Sequence, residues 1–368
     1  MKLFILSLLF VINVLNLSAS QNPIDDETLK KMIGKMLIIG FEDEYIDENS
    51  KIVSLINRYE LGGVILFDRF YNDKTKIKNI SSAKQLKQLT LKLQSFAKKP
   101  LLISVDQEGG RVARLKPKYG FEATPSAKAV SQNDEYMSKH IYNALAKTLR
   151  QNGINCNFAP VVDLALNPNN KVIYGLNRSY GAASSEVIKY AKIFMDSLEN
   201  EGVVSVLKHF PGHGSSLGDS HEGYVDISKT WSEAELEPYR ELIKSSKVPM
   251  IMSAHVYNSK LDEKYPATLS YNVNTKLLRQ ELGFKGILVS DDLQMKAILS
   301  HYSLEEIVAL SINSGVDMLL FANQLTTQDI DALVDVIFQE IKNGNIPMDR
   351  IEESNARIEQ LYKTYKFK

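Results

Sequence analysis

The stretch Glu186-Val-Ile-Lys-Tyr-Ala-Lys-Ile-Phe-Met-Asp-Ser-Leu-Glu-Asn-Glu-Gly-Val-Val-Ser-Val-Leu-Lys-His209 holds one full cycle of the fold. Glu186–Glu201 is amphipathic with the helical period, Gly202 falls where that helix should end, and Val203–His209 is a short apolar run that closes on two polar residues. Reading outward, the strand-like half recurs eight times: Met36–Phe41, Gly63–Phe67, Leu101–Asp106, Cys156–Asp163, Val203–His209, Pro249–His255, Gly286–Asp291 and Asp317–Phe321. Amphipathic stretches at Lys84–Lys98, Glu135–Asn152, Ser232–Ser246 and Leu304–Ser314 supply further helices, each long enough to cross back over a parallel sheet. Gly153, Gly283 and Gly315 repeat the helix-ending position of Gly202, and Met348 to Tyr365 reads as a terminal helix. Continuous apolar strands imply burial on both faces. Eight βα units without a linker, and no Gly-x-Gly-x-x-Gly at the first helix, predict an α/β (β/α)₈ TIM-type barrel forming one catalytic domain over residues 21–368.

Polar residues gather at one end of these strands. Asp106, Asp163, His209, His255 and Asp291 all stand at strand C-termini, the face on which such barrels carry their chemistry. Carboxylates and imidazoles converging there suit a polyhydroxylated substrate such as a sugar, whose hydroxyls need paired donors and acceptors. The loop Lys208-His-Phe-Pro-Gly-His-Gly-Ser-Ser-Leu-Gly-Asp-Ser-His221 adds three histidines and an aspartate among glycines. Asp219 and His221 are two apart, so the carboxylate can accept the imidazole N–H, fix its tautomer and favour its protonated form. The same loop also reads as a polar surface segment, or as a zinc site built from His209, His213, Asp219 and His221, although it lacks the compact spacings of formed zinc sites.

Composition narrows the partners. Lys plus Arg and Asp plus Glu balance at 44 each, and no basic block suggests capture of nucleic acid. The single Cys156 cannot form an internal disulfide and reads as a small buried residue. At the N-terminus, Lys2 precedes an apolar stretch from Leu3 to Leu17 and then Ser18-Ala-Ser20, an export signal over residues 1–20 that predicts a periplasmic enzyme with no stable membrane insertion after cleavage. An uncleaved anchor is the alternative. No cofactor and no metal are expected.

The motifs Asp106-Gln-Glu-Gly-Gly-Arg-Val-Ala-Arg114, Asn157-Phe-Ala-Pro-Val-Val-Asp163, Asn177-Arg-Ser-Tyr180, Lys208-His-Phe-Pro-Gly-His-Gly214, Asp219-Ser-His221, Ala254-His255 and Ser290-Asp-Asp-Leu-Gln-Met295 resemble, in order and spacing, those of glycoside hydrolase family 3 in its β-N-acetylhexosaminidase branch. The resemblance covers residues 30 to 325. It implies Asp291 as nucleophile, His221 as acid/base and Asp219 as its polarising partner, with Asp106, Arg114, Arg178, Lys208 and His209 around a terminal N-acetylglucosamine. The chemistry agrees: a retaining glycosidase needs a carboxylate under the anomeric carbon and a proton donor above the leaving oxygen, and an imidazole with an ordinary pKa of about 6.5 both gives and takes a proton near neutrality.

Around this assignment stand the alternatives. Asp292 competes with Asp291 as nucleophile, Arg111 reads as a surface charge, and Asp163 and His255 read as residues that support the substrate-binding ones or as purely structural. Gly109 and Gly110 are expected at positive φ. Met252 and Met295 read as packing residues, and Trp231 as a packing residue or a sugar platform. Val225 stands where many family members have proline, and an export signal departs from the commonly cytoplasmic single-domain members. The expected activity is a retaining exo-β-N-acetylglucosaminidase acting on an oligosaccharide substrate, peptidoglycan-derived or chitin-like. A phosphorylase on the same scaffold and a noncatalytic amino-sugar-binding protein are the other classes.

Overall fold

The computed structural model describes residues 24–220 and 223–367, so the expected export signal at 1–20 and the loop residue His221 lie outside the described residues. Eight parallel strands form the expected barrel: β1 Leu37–Gly40, β2 Gly63–Ile65, β3 Leu102–Val105, β4 Cys156–Asn157, β5 Val204–Phe210, β6 Met250–Ser253, β7 Ile287–Ser290 and β8 Leu319–Phe321. They pair in that order, and β8 returns to β1 with Leu37 opposite Leu319 and Ile39 opposite Phe321. The remaining seam, between β7 and β8, is closed by a parallel bridge from Val289 to Met318 and by the Leu320 N–H donating 2.9 Å to Ser290 Oγ. The ring is therefore continuous, and its strands are buried on both faces as their unbroken apolar runs require.

The fourth strand is shorter than its apolar run. Pro160 has no N–H to give the ladder, so regular pairing stops at Asn157 and resumes as a bridge from Val161 to Lys208, which lets the chain turn Asp163 toward β5. The helices match their patterns closely. Glu135–Gln151 starts where Asp134 accepts from the Met137 N–H, and Leu304–Ser314 starts on a capping box between Ser303 and Glu306. Gly315 ends that helix at φ +113°, a left-handed position open to glycine, and Gly153, Gly202 and Gly283 likewise take positive φ. Ser232–Ser246 is less regular than its pattern, opening as a 3₁₀ turn at Glu233–Leu236 before the α-helix Glu237–Ser245.

At the base of the barrel Asp317 is fully buried. Its carboxylate meets Arg279 at 2.6 Å and Arg357 at 2.8 Å, and it accepts from the Leu288 N–H and the Ser354 hydroxyl. Arg357 and Ser354 belong to the terminal helix Met348–Tyr365, so one buried acid ties the last helix to the last two strands. Cys156 is fully buried and burial pushes its thiol far above the usual range, so it packs as a small apolar residue.

Candidate active site

A cavity of about 350 Å³ opens at the C-terminal rim of the strands. Asp106 is the residue after β3, Asp291 the residue after β7, and Lys208 and His209 lie within β5. The structure brings Asp106, Arg114, Arg178, Lys208, His209, Asp219 and Asp291 to the walls of this one cavity. His221, the remaining expected site residue, is outside the described residues.

A chain of charge pairs organises the floor. Lys208 Nζ donates to Asp106 Oδ1 at 2.9 Å and contacts Glu108 Oε1 at 2.8 Å, while Arg114 donates to Asp106 Oδ2 at 3.2 Å. Arg178 grips Glu108 with two bonds of 2.8 Å, the fork geometry that makes arginine–carboxylate pairs strong. Burial alone would raise the pKa of these acids. The cations outweigh it: Lys208 and Arg114 hold Asp106 below the usual carboxylate range, and Arg178 and Lys208 hold Glu108 down at about 2. Against burial, the two acids in turn hold Lys208 above its ordinary value. Five charged side chains are thus paired on the floor of the cavity, pre-aligned to trade hydrogen bonds with hydroxyls.

Behind them, Asp163 fixes β5's histidine. Its Oδ2 lies 2.7 Å from His209 Nδ1, and its Oδ1 accepts the His209 and His213 N–H groups at 3.2 and 2.8 Å. Asp163 therefore supports the wall, orienting His209, whose Nε2 meets Arg178 at 3.3 Å. His255 is also a support, with Nδ1 2.8 Å from Thr268 Oγ1 and Nε2 2.9 Å from the Asp292 carbonyl. His213 is buried against Ser216, and burial, with His209 beside it, pushes it down to about 4, so it stays neutral. Of the four residues considered for zinc, His209 and His213 hold these partners and His221 is not described. Among the described residues no three His, Cys, Asp or Glu side chains group as metal ligands.

The two adjacent acids after β7 differ. Asp292 Oδ1 accepts the Gln294 and Ala322 N–H groups at 3.2 and 3.1 Å, stitching β7's exit to β8's. Asp291 is more exposed, accepts the Asp292 N–H at 2.8 Å, and anchors its own N–H on the Ser253 carbonyl at 3.0 Å. Arg111 is exposed, as expected of a surface charge, but lies on the cavity rim. Gly109 and Gly110 take φ +105° and +60°, and a side chain at Gly109 would strike the Pro125 carbonyl at 2.1 Å. Trp231 is buried with its indole N–H donating 3.0 Å to the Pro211 carbonyl, a packing position. Met295 and Met252 are buried in the cavity wall.

Sequence reasoning passed over Glu108, although it lies in the quoted Asp106–Arg114 motif. Two buried cations, Arg178 and Lys208, needed a partner beyond Asp106, and a second acid two residues past Asp106 was the available signal.

The chain matches the Glycosyl hydrolase family 3 N terminal domain over residues 28–361. It is 33% identical to "Beta-hexosaminidase A" of Pseudoalteromonas piscicida, covering 94% of this chain and 62% of that one, and 31% identical to "Beta-hexosaminidase LpqI" of Mycobacterium tuberculosis, covering 89% and 80%. Among solved structures, a glycoside hydrolase family 3 β-N-acetylglucosaminidase from Paenibacillus superposes with a TM-score of 0.82 at 32% identity, over 92% of this chain and 63% of that one. The chain therefore spans less than two thirds of the Pseudoalteromonas and Paenibacillus proteins. Because the match runs through all eight barrel strands, the chain belongs to glycosyl hydrolase family 3.

Proposed function

We propose that this protein is a retaining exo-β-N-acetylglucosaminidase that releases terminal N-acetylglucosamine from peptidoglycan-derived oligosaccharides. The observation that carries the reading is the ionised network of Asp106, Arg114, Arg178 and Lys208 in the same small cavity as Asp291. Its volume is at the low end of ligand sites, roughly 300–1,000 Å³, which suits one terminal sugar. Asp106 accepts from vicinal hydroxyls and Lys208 donates to one of them. Asp291 attacks the anomeric carbon and forms a glycosyl ester as the bond to the leaving oxygen breaks; His221, polarised by Asp219, gives that oxygen its proton. His221 then takes a proton from the water that cleaves the ester, and configuration is retained.

The rim favours wall fragments over neutral chitin-like chains. Arg69, Lys74 and Arg111 line the outer cavity, and none has an ion-pair partner among the described residues. Three uncompensated cations at the mouth favour a leaving group that carries carboxylates. Turnover of a chromogenic β-N-acetylglucosaminide, with the first-formed anomer read by NMR, tests the activity: inversion or no turnover refutes it, and sugar phosphate formed only with added phosphate would mark a phosphorylase. Export rests on Lys2, the apolar stretch and Ser18-Ala-Ser20. Fractionation with N-terminal sequencing tests it, and an intact Met1 in the cytosol refutes it.

A further inference from the structure

We propose that Glu235 is a positioning residue, whose carboxylate holds the backbone of the loop leading to Asp219 and so sets where that polarising carboxylate stands in the cavity wall. The proposal rests on Asp219 serving the proton transfer. Glu235 sits outside the barrel strands, in the 3₁₀ turn Glu233–Leu236, and is 1% exposed. Its Oε2 accepts the Gly214 N–H at 2.9 Å and the Ser215 N–H at 3.4 Å, and its Oε1 is buried with no partner. The loop lies flat on it: a Cβ at Gly212, which has φ +119°, would stand 2.6 Å from Glu235 Cβ. From the other side Asn170 Nδ2 donates to the His213 carbonyl at 2.8 Å and Asn167 Nδ2 to the Ser216 carbonyl at 3.1 Å. Both clamps carry an amide; only Glu235 brings a charge. Four residues past Ser215 the same loop delivers Asp219 to the cavity wall.

This anchor is titratable. Burial, with the Asp163 carboxylate adding to it, pushes Glu235 up to about 7, although the Ser215 and Gly214 bonds oppose the rise. Of the ionisable groups packed beside it, His213 is held neutral, and the Tyr239 phenol on the following helix is buried and held well above its usual range. The charged carboxylate is the stronger acceptor for the two N–H groups, so the loop is gripped above neutrality and loosened below it.

The test is Glu235→Gln, which keeps the volume and removes the charge, with Glu235→Ala as the larger lesion; if Glu235→Ala fails to fold, Glu235→Gln decides. We expect Glu235→Gln to lower kcat on an alkyl β-N-acetylglucosaminide roughly tenfold and on an activated aryl glycoside less than about threefold. The acid limb of the alkyl-glycoside pH profile near neutrality should vanish, amide exchange at Gly214 and Ser215 should quicken, and the loss should not add to that of Asp219→Ala. Equal losses on both substrates, or unchanged rates with unchanged exchange in a folded variant, overturn the proposal. If Asp219→Ala itself shows no leaving-group bias, the reading of Asp219 fails, and exchange at Gly214 and Ser215 still decides whether Glu235 holds the loop.

Discussion

Replacing Glu108 by glutamine leaves Arg178 and Lys208 facing a neutral amide in a site where Glu108 is 6% exposed. The cost follows from the acid's own displacement. Its pKa falls from 4.5 to about 2, and at about 1.4 kcal/mol per unit the ionised form contributes on the order of 3 kcal/mol of stability. Mutational precedent for removing one member of a buried pair, roughly 3–5 kcal/mol, agrees. The folded pKa lies below the unfolded one, so the contribution is complete above about 4.5 and disappears as pH falls through about 2. Urea unfolding of both proteins at a series of pH values reads this directly. Glu108→Gln should unfold at lower urea at pH 7, and the gap should narrow steadily below pH 4.5. Equal midpoints at pH 7, or a gap that stays constant into acid, would show that the charge chain does not hold this wall together. Because Arg178 and Lys208 face the cavity, the variant should also bind N-acetylglucosamine more weakly.

Asp291→Asn should lose nearly all hydrolysis yet still bind N-acetylglucosamine, since an amide fills the space but cannot form the ester; near wild-type turnover would redirect attention to Asp292. His221→Ala should slow substrates with poor leaving groups far more than activated aryl glycosides, with Asp219→Ala a milder version, and equal losses would argue that the loop positions sugar instead of moving protons. Reversing Lys74 and Arg111 to glutamate should lower kcat/KM for a carboxylate-bearing aglycone by about tenfold or more and spare a neutral one, and the discrimination should shrink with salt. A uniform effect on both aglycones would count against charge selection at the rim.

The barrel was legible because its signal is local. Each strand is a continuous apolar run, and the helices Leu304–Ser314 and Met348–Tyr365 begin and end where their patterns do. The convergence of candidate site residues at strand ends was legible for the same reason, since topology alone carries Asp106, His209 and Asp291 to one rim. What escaped was set by partners distant in sequence. Glu108 gains its role from Arg178 and Lys208 on other elements. Glu235 reads as an ordinary acid in a helical pattern, because bonds to the backbone of Gly214 and Ser215 leave no trace in residue types. The irregular turn at Glu233–Leu236 and the early stop at Asn157 were hidden by helical and apolar patterns that continue past them.

The ring closure described above also orders events in time. Leu37 in the first strand waits for Leu319 in the eighth, and the buried Asp317 beside it waits for Arg357 on the final helix. Until those residues arrive, the first strand has one open edge and Asp317 lacks a cation that neutralises it in the native base. A growing chain can collapse early around its central strands, but the native ring, and with it the rim that carries the candidate site, forms only when its two most distant segments meet. Such long-range pairing is slow, and leaves an interval in which the nascent protein is collapsed but not yet closed, with a strand edge open to other chains.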